Sequence, residues 1–447
     1  MFKLITHHHR AATTCSKGAK LAFTQLTFLM IGLSLFIDAI NGFFLSGLGI
    51  DSRLSAIYKL VLLCIILFQI GAFSQKTLAC ILMGILILMM GPTVTLTSTL
   101  DVSGFFLDFT TVLKITTAFI VFLYCVQVCK KSPELVEKYG KWCCQFSFVV
   151  LAVNLALGVM GFGFSSYGGE TTDESTNIGI KGFFYAGNEV SGIFILLFGT
   201  TLHLLWQKHR TMYFFFVPLV FIAGLLIATK AAMLAAALLV FAIPLFNERN
   251  RLLNVTWLKV KMILPVVIVT IVLLFILVPV FQSTGLWERF VWFYQKKGVI
   301  GIILSGRDEF IIAALVVFQQ FADLSQILLG FGRSGLGMFT KDSMEVDPVD
   351  MYFWFGIAGL AMFMLLATVF FRVSYLATRQ KYSLWGPSVL VINIALFSVS
   401  MIAGHIVTSG MLAPLFGLIN GMAYADLCLL KNKTKRDNGE HEGIETK

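Results

Sequence analysis

Residues 345–371 read EVDPVDMYFWFGIAGLAMFMLLATVFF, three carboxylates followed by a long uncharged run. A helix needs roughly 20 apolar residues to cross about 30 Å of hydrocarbon, so the run from 351 to 371 predicts a membrane span. Glu345, Asp347 and Asp350 precede this span and are close enough in sequence to repel one another. Such repulsion raises at least one pKa and suits a general base, although a solvated acidic rim would have the same sequence.

The rest of the chain repeats this apolar pattern. Of 447 residues, 57% are hydrophobic, only 13% are charged, and 43 are Phe. A soluble domain could not cover so much apolar surface with so few charges, so we predict an all-α integral membrane protein. About twelve spans are expected, near residues 21–46, 56–74, 77–97, 105–128, 142–163, 184–206, 211–229, 231–247, 262–283, 351–371, 384–405 and 409–430.

The distribution of basic residues orients these spans. Most of the 34 Lys and Arg residues fall in loops on one side, and the short loops on the other side hold only Arg53, Lys59, Lys181 and Lys230. The positive-inside rule then places both termini in the cytoplasm of a multi-pass protein of the cell (cytoplasmic, inner) membrane. The net charge of +10 is explained in this way, and no nucleic-acid partner is expected.

The predicted organisation has one large loop outside the cytoplasm. It comprises a cytoplasmic N-terminus at 1–20, nine spans within 21–283, an extracytoplasmic loop at 284–350, three spans within 351–430 and a disordered cytoplasmic tail at 431–447. Short apolar stretches at 287–294 and 310–321 predict interfacial helices on the outer leaflet. Residues 164–183 predict a flexible acidic connection. The chain shows no internal repeat, which argues against a major-facilitator transporter.

Four of the eight cysteines flank one predicted inner loop, namely Cys125, Cys129, Cys143 and Cys144. No cysteine lies in a predicted outer loop, so no disulfide is expected. The spacing of the four matches no common zinc site, and we predict neither a metal nor a cofactor.

Several charged residues lie within or at the edge of predicted spans, where each costs at least ~2.5–3.5 kcal/mol. They are Asp38, Asp108, Lys114, Glu189, Lys230, His405 and Asp426. Asp108 and Asp426, near the two surfaces, are interpreted as interfacial residues that reach water. Asp38 and Lys114 lie deeper, and they either pair inside the bundle or serve a function. Lys230 is either a snorkelling lysine or a fixed cation that faces an anionic lipid headgroup.

The long outer loop contains two further candidate elements. Arg307 lies in a polar break between two apolar stretches, and a guanidinium binds a pair of phosphate oxygens through two parallel donors. Asp308 and Glu309 follow directly, so a local ion pair is the alternative. The glycine-rich segment 330–337, which contains Arg333, predicts a tight turn whose backbone donors could also wrap a phosphate or a sugar.

Short blocks between residues 180 and 375 occur in an order that resembles the O-antigen polymerase/ligase family, and within it the exopolysaccharide polymerases. The blocks are Gly182-Phe183-Phe184, Asn188-Glu189-Val190-Ser191, Thr229-Lys230-Ala231, Ser305-Gly306-Arg307, Leu329-Gly330-Phe331-Gly332, residues 345–350 and Phe355-Gly356-Ile357-Ala358-Gly359-Leu360. The ordered series, together with a large outer loop before the tenth span, carries the resemblance.

The resemblance implies a GT-C-like membrane glycosyltransferase that works outside the cytoplasm without a metal or a nucleotide. Its donor would be a glycan on undecaprenyl pyrophosphate, and its acceptor a second glycan. Basic residues in this family hold the pyrophosphate, a role that would fall here on Lys230 and Arg307. The catalytic base would be Glu345, Asp347 or Asp350.

The sequence departs from the family pattern in two respects. Lys230 stands where arginine is common. No histidine occurs between His209 and His405, whereas the ligase branch resembles a pattern with a histidine in this loop. The second departure favours a polymerase over a ligase. Asn188, Arg333 and His405 are secondary candidates for the site.

We therefore predict a polysaccharide polymerase that joins lipid-linked repeat units into O-antigen, capsule or exopolysaccharide. The alternatives are an O-antigen ligase-type glycan transferase, a transporter or flippase for lipid-linked oligosaccharide, and a structural subunit of the assembly complex. Membrane lipid, a flippase and a chain-length regulator protein are the further partners that this prediction includes.

Overall fold

A computed structural model describes residues 2–167, 178–185, 187–248 and 304–444, together with isolated positions between 264 and 301. Within these residues the chain forms fourteen helices and one two-stranded sheet. In chain order they are α1 Phe2–Leu48, α2 Leu54–Phe73, α3 Gln75–Thr99, α4 Val102–Cys129, α5 Pro133–Val159, β1 Phe164–Tyr167, β2 Ile178–Gly182, α6 Gly187–Lys208, α7 Arg210–Ile227, α8 Lys230–Asn247, α9 Arg307–Phe321, α10 Leu324–Leu329, α11 Gly332–Gly337, α12 Asp347–Arg379, α13 Gly386–Ile402 and α14 Ala413–Ile444.

The prediction of an all-α multi-pass membrane protein is confirmed. Ten helices in the described ranges are long and apolar enough to cross a membrane, namely α1 from Leu21, α2 to α8, α12, and α14 as far as Lys433. The span predicted at 384–405 corresponds to α13, which is shorter, at 17 residues. The span predicted at 262–283 and the apolar stretch at 287–294 lie largely outside the described residues. The number of spans seen is thus slightly below twelve.

Apolar side chains cover the outside of the bundle as well as its interior. Phe28 and Phe194 are fully buried, whereas Phe68, Phe215 and Leu234 are 71%, 77% and 73% exposed. Such an apolar surface is unfavourable in water but stable in lipid. Helices suit this environment because they satisfy their own backbone hydrogen bonds. The most enclosed spans are α4, α6 and α14.

Two predictions about the connections differ from the structure. The last helix continues to Ile444, into the segment for which the sequence predicts disorder; residues 431–436 contain neither proline nor glycine, so the helix of the last span can extend into them. In the predicted flexible connection, strands β1 and β2 pair antiparallel. Asn154 of α5 holds β2, because its side chain binds the carbonyl of Lys181 (2.7 Å) and the amide of Phe183 (2.8 Å). Residues 168–177 lie outside the described ranges.

Helices α10 and α11 insert between α3, α4 and α12, and they interrupt α12. Phe355 and Gly356 have non-helical backbone angles inside α12, and Gly356 has φ 60°. A Cβ atom on Gly356 would lie 2.4 Å from the carbonyl carbon of Leu328, and one on Gly330 would lie 2.2 Å from the carbonyl oxygen of Trp354. The two chain segments can therefore approach each other only because both positions are glycine.

Candidate functional site

Several helix ends meet at one end of the bundle. Asn188, in the first turn of α6, donates from Nδ2 to the carbonyl of Ala403, just after the end of α13 (3.4 Å). Ser191 of α6 shares a 2.7 Å hydrogen bond with Thr229, the residue that caps α8. The predicted residues Asn188 and Lys230 therefore lie at the same end of the molecule.

Lys230 is the first residue of α8. Only Ala228 and Thr229 separate this helix from α7, and the hydroxyl of Thr229 accepts a hydrogen bond from the amide of Ala232 (3.1 Å). The ammonium group of Lys230 donates to the hydroxyl of Ser305 (2.7 Å). This contact directs the lysine to the segment that contains Arg307, which favours a fixed cation over a snorkelling side chain.

Arg307 is the first residue of α9, and its guanidinium is largely buried, with 12% of the side chain exposed. Nη2 donates to Oε2 of Glu345 (3.0 Å), and Nη1 donates to the carbonyl of Leu304 (3.2 Å). Nε is buried and has no hydrogen-bond partner among the described residues. The guanidinium therefore retains a donor that an additional acceptor could use.

Glu345 joins Arg307 to another cation. Its second oxygen, Oε1, accepts from the ammonium group of Lys341 (2.6 Å). Lys230 reaches the same place through Ser305. We call the set of Lys230, Arg307, Lys341 and Glu345 the clamp. It combines three cations with one carboxylate, so it is suited to an anion with several oxygen acceptors.

Opposing effects set the pKa of Glu345. Partial burial raises this pKa, because the charged form loses hydration. The hydrogen bond from Lys341 and the charges of Arg307, Lys341 and His405 lower it, and the net result is a pKa below the ordinary value of 4.5. A carboxylate held in this way accepts a proton poorly. Glu345 would accept a proton more readily only if Arg307 and Lys341 bound another anion instead.

The other two predicted bases, Asp347 and Asp350, are almost completely buried. Asp347 accepts from the amides of Ile406 and Val407 (both 2.9 Å), and Asp350 accepts from the hydroxyl of Ser343 (2.9 Å). All of these donors are neutral. By accepting from them, the two carboxylates hold the neighbouring loops in place. Within the described residues, Glu345 is the one predicted carboxylate that contacts a predicted cation.

The irregular segment 403–412, between α13 and α14, packs against the clamp, and we call it the strap. A Cβ atom on Gly404, which has φ 61°, would lie 2.5 Å from the carbonyl carbon of Glu345. His405 follows, and its charge is one of the influences that lower the pKa of Glu345. The secondary candidate His405 is thus placed beside the clamp.

The glycine-rich segment binds a carboxylate of its own chain. The amide and the hydroxyl of Ser334 donate to the two oxygens of Asp108 (2.9 and 2.5 Å). Asp108 is buried, so its interpretation as an interfacial residue is wrong. Arg333, a secondary candidate, pairs with Asp342 (2.6 Å), and its guanidinium lies 5.5 Å from the ring centroid of Trp354.

Unusual backbone conformations concentrate at the clamp. Six non-glycine residues among those described have a positive φ, namely Arg53, Leu100, Ala228, Ser305, Glu345 and His405. The last four belong to the clamp or lie next to it in sequence or space. Each such conformation costs about 1–3 kcal/mol and persists only where its surroundings enforce it, which is typical of functional sites.

The sequence predicted Lys230, Arg307 and Glu345, which the structure brings together, but it did not point to Lys341 or to most of the strap. Lys341 lies four residues before Glu345, a spacing that signals an ion pair only when the segment is helical. This segment is irregular, so the signal was weak. Nothing local in the sequence places the strap against Glu345.

Across the described residues, no group of three His, Cys, Asp or Glu side chains is arranged to hold a metal ion. Compared with models of known protein families, the chain matches none, and it has no significant match among curated proteins.

Proposed function

We propose that this chain is a polysaccharide polymerase of the cytoplasmic membrane, which joins oligosaccharide units carried on undecaprenyl pyrophosphate. The clamp would face the outside of the cell. The observation that carries this proposal is that Lys230, Arg307 and Lys341, from three separate segments, converge at one end of the bundle around Glu345.

In the proposed reaction, the diphosphate of the donor takes the place of Glu345 as the anion held by the clamp. Arg307 offers its unused Nε in addition to the donors that now bind Glu345. As the bond to the sugar breaks, negative charge builds on the departing phosphate oxygen. A preorganised donor in a site poor in water stabilises such charge by roughly 3 kcal/mol.

The acceptor hydroxyl attacks the anomeric carbon of the donor sugar. A new carbon–oxygen bond forms while the bond to the phosphate oxygen breaks, and the electron pair leaves with the lipid diphosphate. The proton of the acceptor hydroxyl passes to Glu345. This transfer becomes favourable because Arg307 and Lys341 now neutralise the diphosphate, so the pKa of Glu345 is no longer lowered by them.

Transport of lipid-linked oligosaccharide is a second candidate, which the exposed Lys114 in the middle of α4 favours. A ligase would use the chemistry of the polymerase with a different acceptor. Gene deletion followed by analysis of lipid-linked sugars separates the three. Single repeat units accessible from outside would support the polymerase. Units trapped on the inner face would indicate a transporter, and finished polymer left on its lipid carrier would indicate a ligase.

A further inference from the structure

Helix α4 carries a lysine at a depth where a charge needs a stabilising environment. Lys114 lies about 18 Å along the helix from its first residue. It is exposed, and so are Ser103, Leu107 and Thr110, which share its face of the helix at spacings of four and three residues. An exposed path therefore leads along α4 from its beginning to Lys114.

The surroundings of Lys114 are polar and come from several helices. Charges on four other helices lie within electrostatic range of it, namely those of Glu189 in α6, Arg333 in α11, Lys59 in α2 and Asp38 in α1. The strap also lies against the methylene groups of Lys114 at Gly410, so this side chain does not face lipid alone. Lys114 thus lies in a crevice between α4 and the strap.

Most of these charges are already paired. Lys59 binds Asp38 (2.5 Å), and Arg333 binds Asp342 (2.6 Å). Lys114 makes no hydrogen bond or ion pair with any described residue. An unpaired ammonium inside a membrane span costs several kcal/mol, which makes it a functional candidate by default.

Glu189 offers a matching acceptor. Its Oε2 accepts from the hydroxyl of Ser409 (2.5 Å) and from the amide of Met411 (3.4 Å), while Oε1 accepts from no described residue. Between these two strap residues, Gly410 presents no side chain. A Cβ atom there would lie 3.2 Å from Cγ of Lys114, so the lysine packs directly against the glycine and a larger residue at 410 would displace it.

We propose that this crevice is a carbohydrate subsite, in which Lys114 and Glu189 bind hydroxyl groups of one sugar unit. The identification of that sugar as part of the acceptor glycan rests on the proposed function. The strap would then separate two sites. Its Gly404 side contacts Glu345 of the clamp, and its Gly410 side borders the crevice.

The hydrogen-bonding chemistry of Lys114 and Glu189 favours a sugar over an anion or a lipid tail as the ligand. Lys114 can only donate hydrogen bonds and Glu189 can only accept them, whereas each sugar hydroxyl does both. A phosphate would meet the negative charge of Glu189 close to Lys114. A hydrocarbon chain would leave the ammonium unsatisfied.

The test measures two affinities on the purified full-length protein in lipid nanodiscs by titration calorimetry. One probe is the repeat-unit oligosaccharide, released by mild acid from the lipid-linked units of a deletion strain. The other probe is inorganic pyrophosphate. The variants are Lys114→Met, Glu189→Gln and Gly410→Leu, which fills the crevice without removing a charge. Lys230→Met serves as the matched control, because it removes the same ammonium from the clamp.

Lys114→Met and Glu189→Gln should each weaken oligosaccharide binding about tenfold or more, the loss expected for one hydrogen bond to a charged group. Gly410→Leu should weaken it as well, because a side chain at 410 displaces Lys114. Pyrophosphate affinity should stay within twofold, and the melting temperature of Lys114→Met should not fall, because no pairing is lost. Unchanged oligosaccharide affinity in these variants, or no measurable binding to the unmodified protein, would overturn the subsite. A melting temperature that falls with the affinity in Lys114→Met would assign the lysine a structural role instead.

The control distinguishes this inference from the proposed function. Lys230→Met should weaken pyrophosphate binding and leave oligosaccharide binding unchanged. If pyrophosphate binding does not depend on Lys230, the clamp and the polymerase proposal fail, while the Lys114 measurements still decide whether the crevice binds sugar.

Discussion

Glu345 at the clamp and Asp426 at the other end of the bundle show two uses of a carboxylate. Asp426, in α14, accepts from the hydroxyl of Ser383 (2.5 Å) and from the amide of Trp385 (2.7 Å), and so fixes the start of α13. It is buried, so its interpretation as an interfacial residue that reaches water is wrong. Glu345 binds two long cationic side chains instead.

The two carboxylates differ in whether their hydrogen-bond donors can turn to another partner. The donors to Asp426 include the main chain at the start of a helix, and they cannot turn to another partner without unfolding that end. The donors to Glu345 are the tips of flexible side chains, which a ligand with more negative charge can take over. Neutral main-chain donors therefore indicate a structural anchor, and cationic side-chain donors indicate a site that can bind.

The largest effect is expected for Arg307→Ala. The variant loses the guanidinium that meets Glu345, so we expect polymer formation to fall about a thousandfold, the upper range for one transition-state donor. Polymer length and amount on gels, with the protein level measured by immunoblot, provide the test. Lys230→Ala should behave in the same direction, and Lys230→Arg should retain activity. Normal polymer in both alanine variants would exclude the clamp.

Glu345→Gln should separate binding from turnover. The amide no longer competes as an anion for Arg307 and Lys341, so pyrophosphate should bind more tightly. Without a proton acceptor, polymer synthesis should fall about a hundredfold. Titration of pyrophosphate and the polymer assay are compared on the same preparation. Weaker pyrophosphate binding would show that Glu345 belongs to the ligand-binding surface and does not occupy its place.

Asp426→Asn should affect stability and leave chemistry intact. The change weakens the anchor of α13 and introduces donors where acceptors are needed, which costs about 1–3 kcal/mol. The melting temperature in detergent should fall by several degrees, while the activity of the folded fraction stays within twofold. A large loss of activity in the folded protein would contradict the division between the two ends.

The smallest expected effect is the acid dependence of the clamp. The pKa of Glu345 is lower in the folded protein than its ordinary value of 4.5, so its ion pairs stabilise the fold above that value. This contribution is lost as the pH falls from about 4.5 through the lowered pKa. The melting temperature of Glu345→Gln should therefore fall less over this acid range than that of the unmodified protein. Parallel curves would show that Glu345 contributes no such linkage.

The spans could be predicted from the sequence because each depends on its own run of apolar residues. Lys230 and Arg307 were also recognisable, since basic residues are rare in the predicted short outer loops and Arg307 interrupts an apolar part of the long loop. Their partnership could not be predicted in this way. The contact between Arg307 and Glu345 joins residues 38 positions apart, and Ser305 and Glu345 beside it have positive φ angles that the sequence does not reveal.

The three carboxylates before α12 illustrate the same limit. Glu345, Asp347 and Asp350 are chemically alike and adjacent in sequence, so local reasoning treats them as one group. What separates them is the identity of their donors. Asp347 is an anchor because the amides of Ile406 and Val407 reach it from the strap, which only the folded chain reveals.

The interruption of α12 at Gly356 divides this span into two helical segments that can move separately. The amide of Phe331 donates to the carbonyl of Phe353 (3.2 Å), so the upper part, residues 347–354, is fastened to the α10–α11 insertion. A displacement of residues 347–354 would therefore be transmitted through the insertion to α3 and α4, against which α10 and α11 pack. The longer part of α12, residues 357–379, would not have to move with residues 347–354.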